Sequence, residues 1–257
     1  MLAGNQWRPI AALLSLVVAL ALQIGVNYSN DYSDGIRGTD NDRIGPIRLT
    51  ASGLATAQAV KRAALISFAI AVLAGLVLAS LSSWWILFVG CAALVAAWGY
   101  TGGKNPYGYR GLGEISVFLF FGVVATVGTY YVQTLEFSLA VFAASVPMGA
   151  LSCALLVINN IRDRERDAQV GKSTLAVRLG DQNSRRFFIF LLAISYLAAP
   201  LTGNVLALLT LATAPQALSL SREVRAGASG PALIPLLART GQLQLHFAIT
   251  FALALSF

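Results

Sequence analysis

The sequence predicts an all-α membrane protein, a polytopic transmembrane helical bundle that forms a single domain over residues 1–257. Hydrophobic residues make up 57% of the chain and charged residues only 11%, against roughly 25% charged in soluble domains. The apolar residues are gathered in long runs, and the basic residues fall almost entirely between alternate runs. A soluble enzyme, a soluble nucleic-acid-binding domain and a disordered tail are excluded, because a water-facing surface needs more polar side chains than this.

The apolar runs divide into eight helices when each crossing takes the roughly 20 residues that span a bilayer core. Residues 9–26 form the first helix and residues 241–257 the last. Three further runs are too long for one helix, and each contains a polar or proline-containing break that suits a hairpin. The three runs are 63–100, 115–158 and 187–220, and their breaks are at 80–83, 133–136 and 200–204 respectively.

The basic residues predict the orientation of these helices. Of the 18 Lys and Arg residues, 17 lie between helices 1 and 2, 3 and 4, 5 and 6, or 7 and 8, and only Arg8 lies elsewhere. Positively charged loops stay on the cytoplasmic side of a membrane. We therefore expect an integral plasma-membrane protein with cytoplasmic long loops, whose net charge of +7 reflects topology and not a nucleic-acid partner.

Seven of the eleven acidic residues form two clusters, each starting where an apolar run ends. Amide and carboxylate side chains stand four residues apart there, so the members of each pair share a helix face. The pairs include Asn30 with Asp34, Asn159 with Asp163, and Asp163 with Asp167. Stacked carboxylates repel one another, and hard oxygen ligands suit Mg²⁺, which commonly uses one or two carboxylates plus substrate phosphates. The pattern predicts a diphosphate held through Mg²⁺, and the alternative is two ordinary solvated loops.

The loop between helices 3 and 4, residues 100–114, is rich in glycine and aromatic residues and contains the cations Lys104 and Arg110. Glycines allow a backbone to approach a ligand closely, which favours a role in substrate binding. Loops of this composition also form simple turns. Both interpretations stay open.

Taken together, these motifs resemble the UbiA-type intramembrane prenyltransferases, and most closely the branch that acts on 1,4-dihydroxy-2-naphthoate. The similarity extends from about residue 23 to residue 181. The matching phrases are Asn-Asp-Tyr-Ser-Asp-Gly at 30–35, Asp-Arg-Ile-Gly-Pro at 42–46, Tyr-x-x-x-Lys at 100–104, and the stretch 159–180.

Two departures from the family pattern are visible. Many members place the third Asp of the first motif four residues after the second, where this chain has Gly38, and the next acid is Asp40, six residues after Asp34. This longer spacing resembles the naphthoate branch and not the 4-hydroxybenzoate branch. The family has nine helices and eight are counted here, so we expect that the family's first helix is missing and that native translation starts upstream of Met1.

The resemblance implies a reaction, a cofactor and a set of site residues. A polyprenyl group would pass from polyprenyl diphosphate to 1,4-dihydroxy-2-naphthoate with decarboxylation, giving demethylmenaquinone and diphosphate in a bacterial plasma membrane. The implied cofactor is Mg²⁺. Residues implied to be catalytic and to bind the metal are Asp31, Asp34, Asp163 and Asp167, with Asp40 as a further metal ligand. Residues implied to bind substrate are Asn30, Asn160, Arg43, Tyr100, Lys104, Lys172 and Arg178.

Three alternative functions are open to test. The acceptor could be another aromatic acid such as 4-hydroxybenzoate. A CDP-alcohol phosphatidyltransferase also opens with Asp-x-x-Asp-Gly, as residues 31–35 do, but it needs Ala-Arg soon after, where this chain has Ile-Arg-Gly. A cation transporter would place its acids near the bilayer midplane, whereas these acids lie at helix ends. The lone His246 is expected to be an interhelix hydrogen-bond partner and not a catalyst.

Overall fold

The computed structural model describes residues 7–39 and 45–257, and these residues form helices, turns and loops with no strand. Eight long helices are present in the described ranges, which confirms the predicted fold class and the predicted count. In chain order they are α1 (Pro9–Ile36), α2 (Ala57–Leu81), α3 (Ile86–Gly99), α4 (Gly113–Thr134), α5 (Leu139–Gln169), α6 (Leu175–Thr202), α7 (Val205–Arg225) and α8 (Leu233–Ser256).

Six of these helices, α1, α2, α4, α5, α6 and α7, are long and apolar enough to cross a membrane. Of the other two, α3 has only 14 residues, and α8 contains Arg239 and His246 within its 24 residues. Large apolar side chains such as Leu13 and Leu197 are 62% and 71% exposed, a surface that suits lipid as its solvent. At each of the three predicted breaks one helix ends and the next begins within a few residues, which confirms those hairpins.

The helices form two compact units, Trp7–Arg110 and Gly111–Phe257. In the first unit, α1 and α2 pack against each other along their lengths and α3 contacts both. Buried small residues such as Ala64 line this contact. The expectation of one domain over residues 1–257 stays a prediction.

In the unit Gly111–Phe257, α5 is the central helix and contacts α4, α6 and α8. Leu151 and Ile158 of α5 are fully buried in the core that these helices share. At the contact with α4, a Cβ added to Gly122 would lie 2.5 Å from the Cα of Gly149, so only glycine permits this approach. Close packing of small residues is a main source of helix association in membranes, because lipid provides no hydrophobic drive.

Asp31 and Asp34 of the first acidic motif and all three acids of the second lie inside helices, and Asp40 and Asp42 lie outside the described residues. The first apolar run ends near residue 26, but α1 continues to Ile36, and its 28 residues span about 42 Å against a hydrocarbon core of about 30 Å. The second motif lies in the last third of α5, a helix of 31 residues. Each helix is therefore long enough to cross the core and still present its acidic residues at one end.

Candidate functional site

The part of the first acidic motif that the structure describes, Asn30, Asp31 and Asp34, lies in the last two turns of α1. Asp31 and Asp34 are each only 5% exposed, and carboxylates are rarely buried so far unless they are paired. Their partners come from two loops of the same unit, one after α1 and one after α3. These partners determine what the motif can bind.

Asp31 holds the segment that follows α1. Its Oδ2 accepts the backbone N–H of Leu49 at 2.8 Å and its Oδ1 accepts that of Thr50 at 2.9 Å. The segment packs directly on the helix, since a Cβ at Gly35 would lie 2.5 Å from the Thr50 side chain. A carboxylate has about four lone-pair sites, so these two bonds leave acceptor capacity on Asp31 for a cation.

Asp34 is joined to the loop that follows α3. The hydroxyl of Tyr109 donates to its Oδ1 at 2.6 Å, a short bond of the kind that charged acceptors form. The guanidinium carbon of Arg37 lies 5.5 Å from the centroid of the Tyr109 ring. Tyr109 is therefore held from two sides, by a carboxylate of α1 and by the cation of the residue that caps the end of α1.

Two further contacts fasten this loop to α1. Thr101 donates its hydroxyl to Oδ1 of Asn30 at 2.8 Å, and the guanidinium of Arg37 donates to the carbonyls of Thr101 and Gly103. The predicted substrate residue Tyr100 packs edge-on against the Tyr107 ring at 5.5 Å, and Lys104 is exposed. The loop thus exposes Lys104 and packs Tyr100 against another ring of the same loop.

An amide of the second motif bonds the first turn of α4. Asn160 of α5 donates its Nδ2 to Oε1 of Glu114 at 3.1 Å, and both side chains are buried. The carbonyl of Glu114 also accepts the thiol of Cys153 at 3.1 Å. These bonds fix the start of α4 against α5 at the level of the motif.

Asp163 forms an ion pair with its neighbour in the chain. Nε and Nη2 of Arg162 each lie 2.7 Å from an oxygen of Asp163, and Nη2 also reaches Oδ1 of Asn159 at 2.9 Å. The Arg162 side chain is 1% exposed and that of Asp163 is 14% exposed. This bidentate geometry aligns the carboxylate and neutralises part of its charge.

Several donors around the second motif are buried without a hydrogen-bond partner among the described residues. They are Nη1 of Arg162, Nε of Arg164, Nη1 of Arg166 and Oγ1 of Thr174. Buried polar groups are nearly always bonded in folded proteins. Arg162 and Arg166 are four residues apart and share a helix face, so their free Nη1 donors fit an anionic ligand, whereas Nε of Arg164 lies 4.0 Å from Oδ1 of Asp181.

The turn after α5 returns the chain to the second motif. The N–H of Lys172 donates to the carbonyl of Asp167 at 2.8 Å, and both side chains are more than 90% buried. Arg178 is exposed, and its Nε donates to the carbonyl of Ser173 at 3.1 Å. Of these two predicted substrate cations, Lys172 therefore lies in the buried part of the motif and Arg178 at its surface.

Comparison with known proteins identifies the family. A family model described as the UbiA prenyltransferase family matches residues 1–231. The chain belongs to the UbiA prenyltransferase family. Two curated UbiA relatives carry the name 1,4-dihydroxy-2-naphthoate octaprenyltransferase. The one from Mycobacterium tuberculosis is 52% identical over 96% of this chain and 85% of its own, and the one from Escherichia coli is 38% identical over 92% and 80%.

Two solved structures share the UbiA fold with this chain. One is a digeranylgeranylglyceryl phosphate synthase, with a TM-score of 0.60 and 14% identity over 97% of this chain and 88% of the other. The second is a UbiA homologue from Archaeoglobus fulgidus bound to DMAPP and Mg²⁺, with a TM-score of 0.60 and 12% identity over 97% and 89%. At these identities the likeness concerns the fold alone.

The UbiA site predicted from sequence is distributed over both units. Asn30, Asp31, Asp34, Tyr100 and Lys104 belong to Trp7–Arg110, and Asn160, Asp163, Asp167, Lys172 and Arg178 belong to Gly111–Phe257. Asp40 and Arg43 lie outside the described residues. Among the described residues, no three His, Cys, Asp or Glu side chains form a group that could hold a metal by themselves. The metal and substrate roles stay predictions.

Sequence reasoning missed four residues that organise the two motifs: Arg37, Thr101, Tyr109 and Arg162. Only Arg37 has a recognisable signal, since it follows Asp34 by three residues and shares its helix face. Thr101 and Tyr109 bond residues more than 70 positions away, which no local pattern indicates. The expectation for His246 is confirmed, because its Nδ1 lies 3.0 Å from the side-chain amide of Gln216 on α7.

Proposed function

We propose that this protein transfers a polyprenyl group from polyprenyl diphosphate to the ring of 1,4-dihydroxy-2-naphthoate. The bond between C1 of the prenyl chain and the diphosphate oxygen breaks, a carbon–carbon bond to the ring forms, and the ring carboxylate leaves as CO₂. The products are the quinol form of demethylmenaquinone, CO₂ and diphosphate, and oxidation of this quinol to the quinone is a separate step that needs a two-electron acceptor. The observation that supports this most is identity of 38–52% with enzymes named for this acceptor, over more than 90% of the chain.

The two acidic motifs are proposed to serve one diphosphate through Mg²⁺. The ligands would be Asp31 and Asp34 from α1 and Asp163 and Asp167 from α5, with Asp40 as a further ligand and Asn30 and Asn160 assisting. The donor chemistry fits, because these side chains present only hard oxygens towards a cation and Asp31 retains acceptor capacity beyond its two backbone bonds. When bound, Mg²⁺ would supply positive charge to the departing diphosphate.

The chain's own cations would bind the diphosphate oxygens directly. Nη1 of Arg162 is buried beside the second motif with no hydrogen-bond partner among the described residues, and a phosphate oxygen would satisfy it. Lys172 and Arg178 would add positive charge from the turn after α5, Lys104 from the loop after α3, and Arg43 from the segment that follows α1. These fixed donors stabilise the charge that develops as the C–O bond breaks.

The remaining task of the protein is to orient the acceptor and to exclude water. Ionisation leaves an allylic cation that water would capture, and burial of both motifs keeps the reacting carbon in a low-dielectric environment. The apolar prenyl tail would lie along the membrane-spanning helices, with its head group at the ends of α1 and α5. We propose that these ends and the long loops face the cytoplasm, as the one-sided distribution of basic residues supports.

A membrane assay tests the proposal against its alternatives. Membranes that contain the protein are incubated with radiolabelled prenyl diphosphate in two parallel reactions. One reaction also contains dihydroxynaphthoate, and the other contains 4-hydroxybenzoate. We expect a labelled lipid-soluble product and release of CO₂ with dihydroxynaphthoate only. Faster transfer to 4-hydroxybenzoate would assign another acceptor. No transfer to either acceptor, with Mg²⁺-dependent ion flux in vesicles, would favour a transporter.

A further inference from the structure

A groove on the outer face of the unit Gly111–Phe257 lies between α6 and α7. It has a volume of about 380 Å³. Ile189, Ala193 and Tyr196 line it from α6 with spacings of four and three residues, and Ala217 is on the facing side of α7. These spacings place each set on one helix face. The groove is therefore lined by one face of each helix.

At the Tyr196 end of this groove, a side-chain hydrogen bond joins α6 and α7. The hydroxyl of Tyr196 lies 2.8 Å from Oγ1 of Thr213, so both polar groups are satisfied where α6 and α7 meet. From Ala214 to Arg225 the groove follows α7 over 12 residues, or about 16 Å from the first Cα to the last. That length is about half of a 30 Å hydrocarbon core, which matches the depth of one membrane leaflet.

The other end of the groove carries positive charge. Arg222 and Arg225 line it there, in the last turn of α7. Both are exposed, and neither forms a hydrogen bond or an ion pair with another described side chain. They are not needed to cap the helix, because Nη1 of Arg185 already donates to the carbonyl of Val224 at 2.6 Å.

The acidic residues near this end are already paired. Glu223 accepts from Arg239 of α8 at 2.7 Å, and Asp181 accepts from Arg185 at 2.7 Å. The charge of Arg222 and Arg225 is thus left for a ligand from outside the chain. A ligand that complements the whole groove needs an anionic head and one long apolar chain beside it.

We propose that this groove binds an anionic glycerophospholipid of the surrounding membrane. Its phosphate would accept hydrogen bonds from Arg222 and Arg225 and from the hydroxyl of Ser221, and one acyl chain would lie between α6 and α7. Basic pockets between membrane-spanning helices recognise lipid head groups in this way. The site lies on α6 and α7, so it differs from the acidic motifs that are proposed to hold the prenyl diphosphate.

Native mass spectrometry of the purified full-length protein tests this proposal. The protein is released from detergent after incubation with phosphatidylglycerol or with phosphatidylcholine of the same acyl chains. We expect phosphatidylglycerol to bind at least about tenfold more tightly, from two arginines near the head group. The double variant Arg222→Gln/Arg225→Gln should lose this preference, whereas Arg62→Gln, at an exposed arginine of α2, should keep it.

A second pair of variants tests the acyl chain separately from the charge. Ala193→Trp fills the groove and leaves both arginines in place, and we expect it to weaken binding of both lipids. Ala252→Trp, at an exposed position on α8, should bind as the wild type does. Equal binding of the two lipids by the wild type, or full binding by Ala193→Trp, would overturn the proposal.

Two competitors distinguish the possible occupants. Inorganic phosphate at the same concentration should not displace phosphatidylglycerol, because it has no acyl chain; displacement would mean an anion site alone and would overturn the proposal. Geranylgeranyl diphosphate should likewise leave the lipid bound to this groove. If it displaces the lipid from the wild type and binds less tightly to Arg222→Gln/Arg225→Gln, the groove belongs to the prenyl substrate and the lipid proposal fails.

Discussion

On α1, the buried carboxylate of Asp31 accepts hydrogen bonds from two neutral backbone N–H groups. On α5, the carboxylate of Asp163 accepts two bonds from the guanidinium of Arg162. Among the described residues Asp31 has no ion-pair partner, so its charge is stabilised but not cancelled. Asp163 is oriented and largely balanced by a cation before any ligand arrives.

This difference predicts that loss of a partner has a different effect in each motif. Backbone donors fix the position of Asp31 and leave its negative charge available to a metal ion. The ion pair at Asp163 couples the carboxylate to a guanidinium that is itself almost fully buried. Removal of either partner therefore leaves the charge of the other without compensation, which is destabilising. We infer that Asp31 is a stronger cation ligand than Asp163, and that the Arg162–Asp163 pair combines cation binding with direct anion binding.

The largest expected effect is loss of all activity when the divalent cation is removed. Chelator should abolish prenyl transfer, and millimolar-range Mg²⁺ should restore it, from the usual coordination by carboxylates and phosphates. Mg²⁺ and a non-hydrolysable prenyl diphosphate analogue should also strengthen each other's binding. Calorimetric titration of the analogue with and without Mg²⁺ measures this, and equal affinities in the two titrations would remove the metal-bridged diphosphate.

The next largest effect is expected on turnover, when one carboxylate in either motif is replaced. We expect Asp34→Asn and Asp163→Asn each to lower turnover by at least about a hundredfold, because each removes a charge that assists ionisation and keeps the side-chain shape. Glu165→Gln is the matched control, since that side chain is 86% exposed, and it should retain near-normal turnover. A near-normal rate in either Asp variant would mean that the acids of its motif are ordinary solvated charges without a role in catalysis.

The support of Asp34 by Tyr109 is expected to matter less. Tyr109→Phe removes a hydroxyl that donates at 2.6 Å, and we expect about a tenfold fall in kcat/KM, the size of one bond to a charged group. The Mg²⁺ concentration for half-maximal rate should change with it. Tyr107→Phe removes a hydroxyl bonded to the carbonyl of Ala96 and should leave the Mg²⁺ dependence unchanged. The same Mg²⁺ shift in both variants would point to general loosening of the loop.

The smallest effect concerns the stability of the ion pair on α5. Asp163→Asn and Arg162→Gln should each lower the melting temperature in detergent, and the double variant should lose less than the sum of the two. We expect a coupling energy of about 1 kcal/mol, typical of residues in direct contact. Strictly additive losses would show that the pair contributes no interaction of its own, and the proposed difference between the two motifs would fail.

Hydropathy and charge are sufficient to predict the membrane bundle, its eight helices and its three hairpin breaks. These features depend on the transfer of apolar runs out of water, and each run contains enough local information to be recognised by itself. The acidic motifs are visible for a similar reason, because amides and carboxylates four residues apart stand out in a chain with only 11% charged residues. Helix length was underestimated, since α1 continues ten residues beyond its apolar run to include Asp31 and Asp34.

The hydrogen-bond partners of these acids were decided by tertiary packing alone. Tyr109 reaches Asp34 across 75 residues of sequence, and Asn160 reaches Glu114 across 46. Such pairs have no periodicity, because they arise only when helices and loops are brought together by packing. The same holds for the groove between α6 and α7. Its apolar residues resemble any other lipid-facing positions along the chain, and only the antiparallel pairing of the two helices gathers them beside Arg222 and Arg225.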